Sequence, residues 1–234
     1  MTSPPPEPDL SALFAEIPDP GTAPGPTRSP IPIRASTGSP ARSSLRNRRL
    51  AALTASAAWL STHLAVYGVR SDLRGLPVSY VAAQVLLPFL IAVSSLVLAL
   101  SSGKLGLGRK IGSIVGLSVL GPAAFCVLAL GAPPPSTADA DAASALGMLV
   151  CFDITVAWTA VPLIAAGLAL PGVFASGVRW RSALLGAAVG LFAGATMNLH
   201  CANVAPLHML MGHGSPVLVA TLLGALVLGY RTRA

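Results

Sequence analysis

Long apolar runs separated by short polar stretches dominate the chain from residue 50 onward. About 20 apolar residues cross a hydrocarbon core, so the runs at 50–69, 78–101, 111–132 and 145–170 predict four membrane-spanning helices. From Ser182 to Tyr230 there is no Asp, Glu, Lys or Arg. As one helix that stretch would reach roughly 73 Å, more than twice a hydrocarbon core of about 30 Å. It therefore predicts a hairpin of two further spans, 182–200 and 206–230, turning near Asn198 to Pro206. The expected fold class is all-α: a polytopic membrane protein whose six transmembrane helices occupy residues 49–234.

Residues 1–48 follow another pattern, rich in Pro, Gly, Ser and Thr and lacking the continuous apolar segment of a signal peptide. They predict a disordered N-terminal tail with one island, Asp9 to Ile17. There Leu10, Leu13, Phe14 and Ile17 fall at i, i+3, i+4 and i+7, with Asp9 available as an N-cap and Pro18 as a stop. A helix of about nine residues is marginal alone in water, so its apolar stripe is expected to fold on a surface. That surface is either a partner protein, met by a helix lying in a groove, or the protein's own membrane; the remaining alternative is an unstructured tail in which the pattern arises by chance. The linker that follows gives the motif reach.

Composition agrees with a membrane protein: 53% of the 234 residues are hydrophobic and 10% charged, where soluble domains carry about 25% charged residues. The placement of charge predicts orientation, because Lys and Arg are retained in cytoplasmic loops. Arg42, Arg46, Arg48, Arg49, Lys104, Arg109, Lys110, Arg179, Arg181, Arg231 and Arg233 fall on one side of a six-span topology, leaving Arg70 and Arg74 on the other. Both termini are thus expected to be cytoplasmic. This asymmetry and anionic lipid account for the net charge of +7. No direct nucleic-acid partner is expected.

In that topology every Cys and His lies in the outer half. His200 and Cys201 end the fifth span, His208 and His213 open the sixth, and Cys151 with Asp153 lies just inside the fourth. His63 and Asp153 are read as buried polar groups; an ionisable side chain within a span is costly unless paired or hydrated, so Asp153 is expected to find a partner such as His63 or Thr155. Cys126, beside Phe125, reads as packing. Cys151 and Cys201 are candidate sensing residues, through a disulfide or reactive thiols. Cys201 with His200, His208 and His213 also forms a candidate site for a divalent metal, since thiolate and imidazole suit soft or borderline ions. Their spacing is no recognised zinc signature, and no Cys-x-x-Cys-His motif supports haem. There is no His-Glu-x-x-His, phosphate loop or Gly-x-Ser-x-Gly, so an enzyme is not expected. Gly186, Gly190 and Gly194 recur every four residues, a face suited to close helix packing or sliding.

Six spans, a short Leu-rich motif in the tail, Cys151 in Cys-Phe-Asp, and Leu-His-Cys at 199–201 followed by Pro-Leu-His and Gly-His resemble the negative-regulator-of-sigma-F family of membrane anti-sigma factors. The resemblance covers about residues 45–234 and is most specific from Cys151 to Tyr230. It implies that the chain sequesters an extracytoplasmic-function sigma factor at the cytoplasmic face and that Cys151 and Cys201 perceive redox or metal stress. Leu10, Leu13, Phe14 and Ile17, with the loop around Arg179 to Arg181, would then hold the sigma factor. The longer Pro-rich tail and the third cysteine, Cys126, depart from the family pattern. The alternative is a small transporter or channel for metal or solute, using the outer His, Cys and Asp residues. No ionisable residue continues such a path through the inner half.

Overall fold

A computed structural model describes residues 42–101, 107–131, 145–170 and 177–231, all within one compact unit, Ala41–Ala234. The tail motif Leu10, Leu13, Phe14 and Ile17 lies outside the described residues, as do Lys104 and Arg233.

Among the described residues six long helices follow one another: α1 (Arg42–Tyr67), α2 (Val78–Leu100), α3 (Leu107–Leu130), α4 (Ala145–Ala169), α5 (Val178–His200) and α6 (Pro206–Leu228), the last continued by a short turn at Gly229–Arg231. Among the described residues there is no strand. A single-turn helix at Ser71–Gly75 links α1 to α2, and Cys201 to Ala205 make the turn of the expected hairpin. Among the described residues, five helices are long and apolar enough to cross a membrane, α3 through its Gly112–Leu130 portion. The helix outside that group is α1, whose opening carries Arg42, Arg46, Arg48 and Arg49 and whose body includes Thr54, Ser56, Ser61, Thr62 and His63.

At the centre stands α5: 89% of its apolar window is buried, against 39% or less for the other four. It packs against α2, α3, α4 and α6 and touches α1. Small side chains permit this, as helices in lipid associate by close packing rather than by hydrophobic burial. A methyl group added at Gly186 would collide with the Ala220 backbone, and one at Gly190 would lie 2.9 Å from the Val217 Cα. From α6, a methyl at Gly224 would strike the Ser182 carbonyl. The glycine face is therefore a tight backbone contact between α5 and α6. At the far end of this contact, Arg181 donates to the Ala99 and Ser101 carbonyls (3.0 and 2.7 Å), satisfying acceptors at the end of α2.

Three of the four prolines inside the described helices organise the lateral contacts. Each lacks the N–H that would bond the carbonyl four residues earlier, and that carbonyl accepts a side chain from another helix. Pro88 leaves the Gln84 carbonyl to Asn198 Nδ2 of α5 (2.7 Å). Pro162 leaves the Trp158 carbonyl to Trp59 Nε1 of α1 (3.2 Å). Pro216 leaves the Gly212 carbonyl to Thr155 Oγ1 of α4 (3.2 Å). The looser partner is α1, which packs mainly on α4. Between α1 and α2, α4 and α5 lies an apolar cavity of about 410 Å³, lined by Leu53, Leu60, Phe89, Leu96, Leu170 and Leu185 among others.

Candidate Cys/His centre

Where α5 turns into α6, four chemically capable side chains converge. Cys151 stands in the second turn of α4, Cys201 follows the last residue of α5, and His208 and His213 belong to the start of α6. The two sulfurs are 3.9 Å apart, and Cys201 Sγ is 3.4 Å from His208 Nε2. One donor atom from each of the four residues lies within 4.8 Å of every other, a set that can hold a metal ion. Both histidines are buried and both cysteines half-buried, with their thiols free.

Helix geometry explains how His208 and His213 face the same neighbours. Five residues apart, they would diverge on a regular helix of about 3.6 residues per turn. Met209–Gly214 instead forms a wider π-helical turn, a feature that often marks functional sites, and the two rings sit 5.3 Å apart, edge to face. Gly212 lies within this turn, where an added methyl would be 3.1 Å from Cys151 Cβ; its absence lets α6 approach α4. Thr155 Oγ1 bridges the same helices, donating toward the Cys151 carbonyl (2.7 Å) as well as the Gly212 carbonyl.

A chain of buried amides sets the orientation of His213. Asn198 uses its Nδ2 to donate to the Gln84 carbonyl, so its Oδ1 is the atom turned to His213 Nδ1, 2.5 Å away. An oxygen can only accept there, so Nδ1 carries the proton and Nε2 presents its lone pair to the cluster. That Nε2 is buried without a hydrogen-bond partner, as is His208 Nδ1. Gln84, itself buried, donates on to the Leu128 carbonyl of α3.

The turn bearing Cys201 is clamped from the loop after α1. The Arg70 guanidinium, 8% exposed as a residue, donates to the carbonyls of Cys201 (2.9 Å) and Ala202 (3.0 Å), and its backbone N–H donates to the Leu199 carbonyl. Asp72 accepts from Arg70 through both oxygens at 2.7 and 2.6 Å. This fork-to-fork pair raises the Arg70 pKa and holds the Asp72 carboxyl below its ordinary value.

Two expectations are corrected. His200 is not part of the donor set: its Nδ1 faces the Gly68 carbonyl at 3.2 Å and its ring meets Tyr67, because adjacent residues at a helix end point to different sides. Cys151 takes its place. Asp153 is exposed rather than buried, two residues from Cys151 on the opposite side of α4, and forms no hydrogen bond or ion pair among the described residues. His63 is half-buried, with Nδ1 at the Trp59 carbonyl and its ring between Trp59 and Trp158 (4.3 and 4.6 Å), where it joins α1 to α4. Cys126 stands apart, near Gly214. Arg70 and Asn198 carry no motif. The signal for Arg70 was its isolation, as one of two basic residues expected on the outer side. Compared with known protein families, characterised proteins and solved structures, the chain shows no match.

Proposed function

We propose that the chain is a membrane-bound anti-sigma factor with six spans and cytoplasmic termini in the bacterial inner membrane. Its tail, through Leu10, Leu13, Phe14 and Ile17, holds an extracytoplasmic-function sigma factor. The centre of Cys151, Cys201, His208 and His213 receives a redox or metal signal on the outer side. The observation that carries this reading is the path through α4. Cys151 at the centre and Trp158, seven residues along, share that helix, and Trp158 accepts the hydrogen bond from Trp59 of α1, the helix that continues from the tail.

A signal shifts such an equilibrium only by interacting differently with the two states. The centre joins α4, the α5–α6 turn and α6, so a ligand or a cross-link there favours one mutual placement of these elements. The apolar cavity beside α1 leaves that helix room to follow α4. The test is co-purification of the full chain with the sigma factors of its host, with and without residues 1–18. Capture by the full chain, lost on truncation, is expected; no capture in either form overturns the reading. Cys151→Ser and Cys201→Ser should each yield a repressor blind to the stimulus in a sigma-dependent reporter strain. Loss of repression itself would make the cysteines structural.

A further inference from the structure

We propose that Cys151, Cys201, His208 and His213 form a closed four-coordinate site for a zinc-class divalent cation, Zn²⁺ or the softer Cd²⁺. Asn198 acts as the residue that orients His213. This deepens the input half of the regulator proposed above, and it is read on the purified chain without a sigma factor, so either idea can fail alone.

Two of the donor–donor edges already match tetrahedral coordination. With Zn–S of about 2.3 Å and Zn–N of about 2.0 Å, a regular tetrahedron places two sulfurs about 3.8 Å apart and a sulfur and a nitrogen about 3.5 Å apart. The observed edges are 3.9 Å for Cys151 Sγ to Cys201 Sγ and 3.4 Å for Cys201 Sγ to His208 Nε2. The fourth residue, His213, offers a ring nitrogen within 4.8 Å of the rest, and its Nε2 is buried, unpartnered and lone-pair outward from Asn198. A buried imidazole nitrogen without a partner is costly; a cation at the centre of the four donors satisfies it.

Donor chemistry selects the ion. Two sulfurs and two imidazole nitrogens suit a borderline or soft ion with tetrahedral preference and disfavour Mg²⁺ or Ca²⁺, which prefer oxygen. Four protein donors leave no open position for a substrate, the arrangement of a structural or sensing site rather than a catalytic one. Binding transfers the two thiol protons to solvent, and two thiolates then neutralise the 2+ charge, which lowers the cost of holding it away from bulk water. The Asn198–His213 bond is the outer contact that ligating histidines generally require, and its removal typically costs about 10–100-fold in affinity.

The test uses the full chain in lipid nanodiscs, stripped with chelator and titrated with Co²⁺ as a spectroscopic probe. A single ion per chain is expected, with thiolate charge transfer and the intense visible absorption of tetrahedral cobalt, bleached on adding Zn²⁺. Cys201→Ser and His213→Ala should lose this spectrum, and Asn198→Leu should retain it with affinity lowered about 10–100-fold. His200→Ala and Cys126→Ser should match the parent chain. A parent chain without a stoichiometric tetrahedral spectrum overturns the proposal, as does His200→Ala losing as much affinity as His213→Ala. Because a variant can fail to fold, the unmodified chain supplies a second readout. Zn²⁺ should protect Cys151 and Cys201, but not Cys126, from alkylation; equal labelling with and without the metal also overturns it.

Discussion

Arg70 shows how a single side chain fixes the ground on which the centre stands. Its guanidinium is buried and divided between Asp72 and the carbonyls of Cys201 and Ala202, so Arg70→Gln leaves acceptors of the turn unpaired. A buried polar group left unsatisfied costs about 1–3 kcal/mol, and the expected outcome is lowered thermal stability with faster amide hydrogen exchange at 199–205. The pH dependence follows from the direction of the Asp72 shift. Arg70 holds the folded-state pKa of Asp72 below 3.8, so the pair's contribution is present above that value and lost as pH falls through the lower, folded one. Exchange in the turn should rise only in that acid range, and Asp72→Asn should abolish the rise. Both residues were visible in the sequence only as loop charges. Their role depends on a contact between residues 131 positions apart, which no local pattern encodes.

Helices determine how near the donors come to one another. The spans expected from apolar runs agree with the helices to within four residues at each end, except that α1 begins at Arg42. The wider turn at Met209–Gly214 was not legible, because apolar residues surround it and only its result, a shared direction for His208 and His213, betrays it. Gly212 sets the spacing of α6 from α4. In Gly212→Ala the new methyl meets Cys151 Cβ at 3.1 Å, so the fold should survive while Co²⁺ affinity falls, measured by the same titration. Where α5 packs on α6, Gly190→Leu would drive the two helices apart. Overpacking of this kind costs about 1–3 kcal/mol, and a lower unfolding temperature with broadened side-chain signals is expected.

Across the whole molecule, the centre at one end of the bundle meets the tail-bearing α1 through α4. Trp59 and His63 of α1 rest on Trp158 of α4, and the apolar cavity lies beside α1. Trp59→Leu should therefore leave metal binding by the purified chain intact while weakening the reporter's response to the stimulus; equal loss of both would place Trp59 in the centre itself. The apolar runs, the uncharged stretch from Ser182 to Tyr230 and the clustering of Cys and His by themselves determined an all-helical chain and a chemically distinct end, because helix length and hydropathy are local properties. Only the tertiary structure decided which residues meet. It placed α5 at the centre, turned His200 toward Gly68 and exposed Asp153. It also brought Cys151 to Cys201, His208 and His213, since those outcomes depend on helix rotation, proline-freed carbonyls and glycine contacts between segments far apart in the chain.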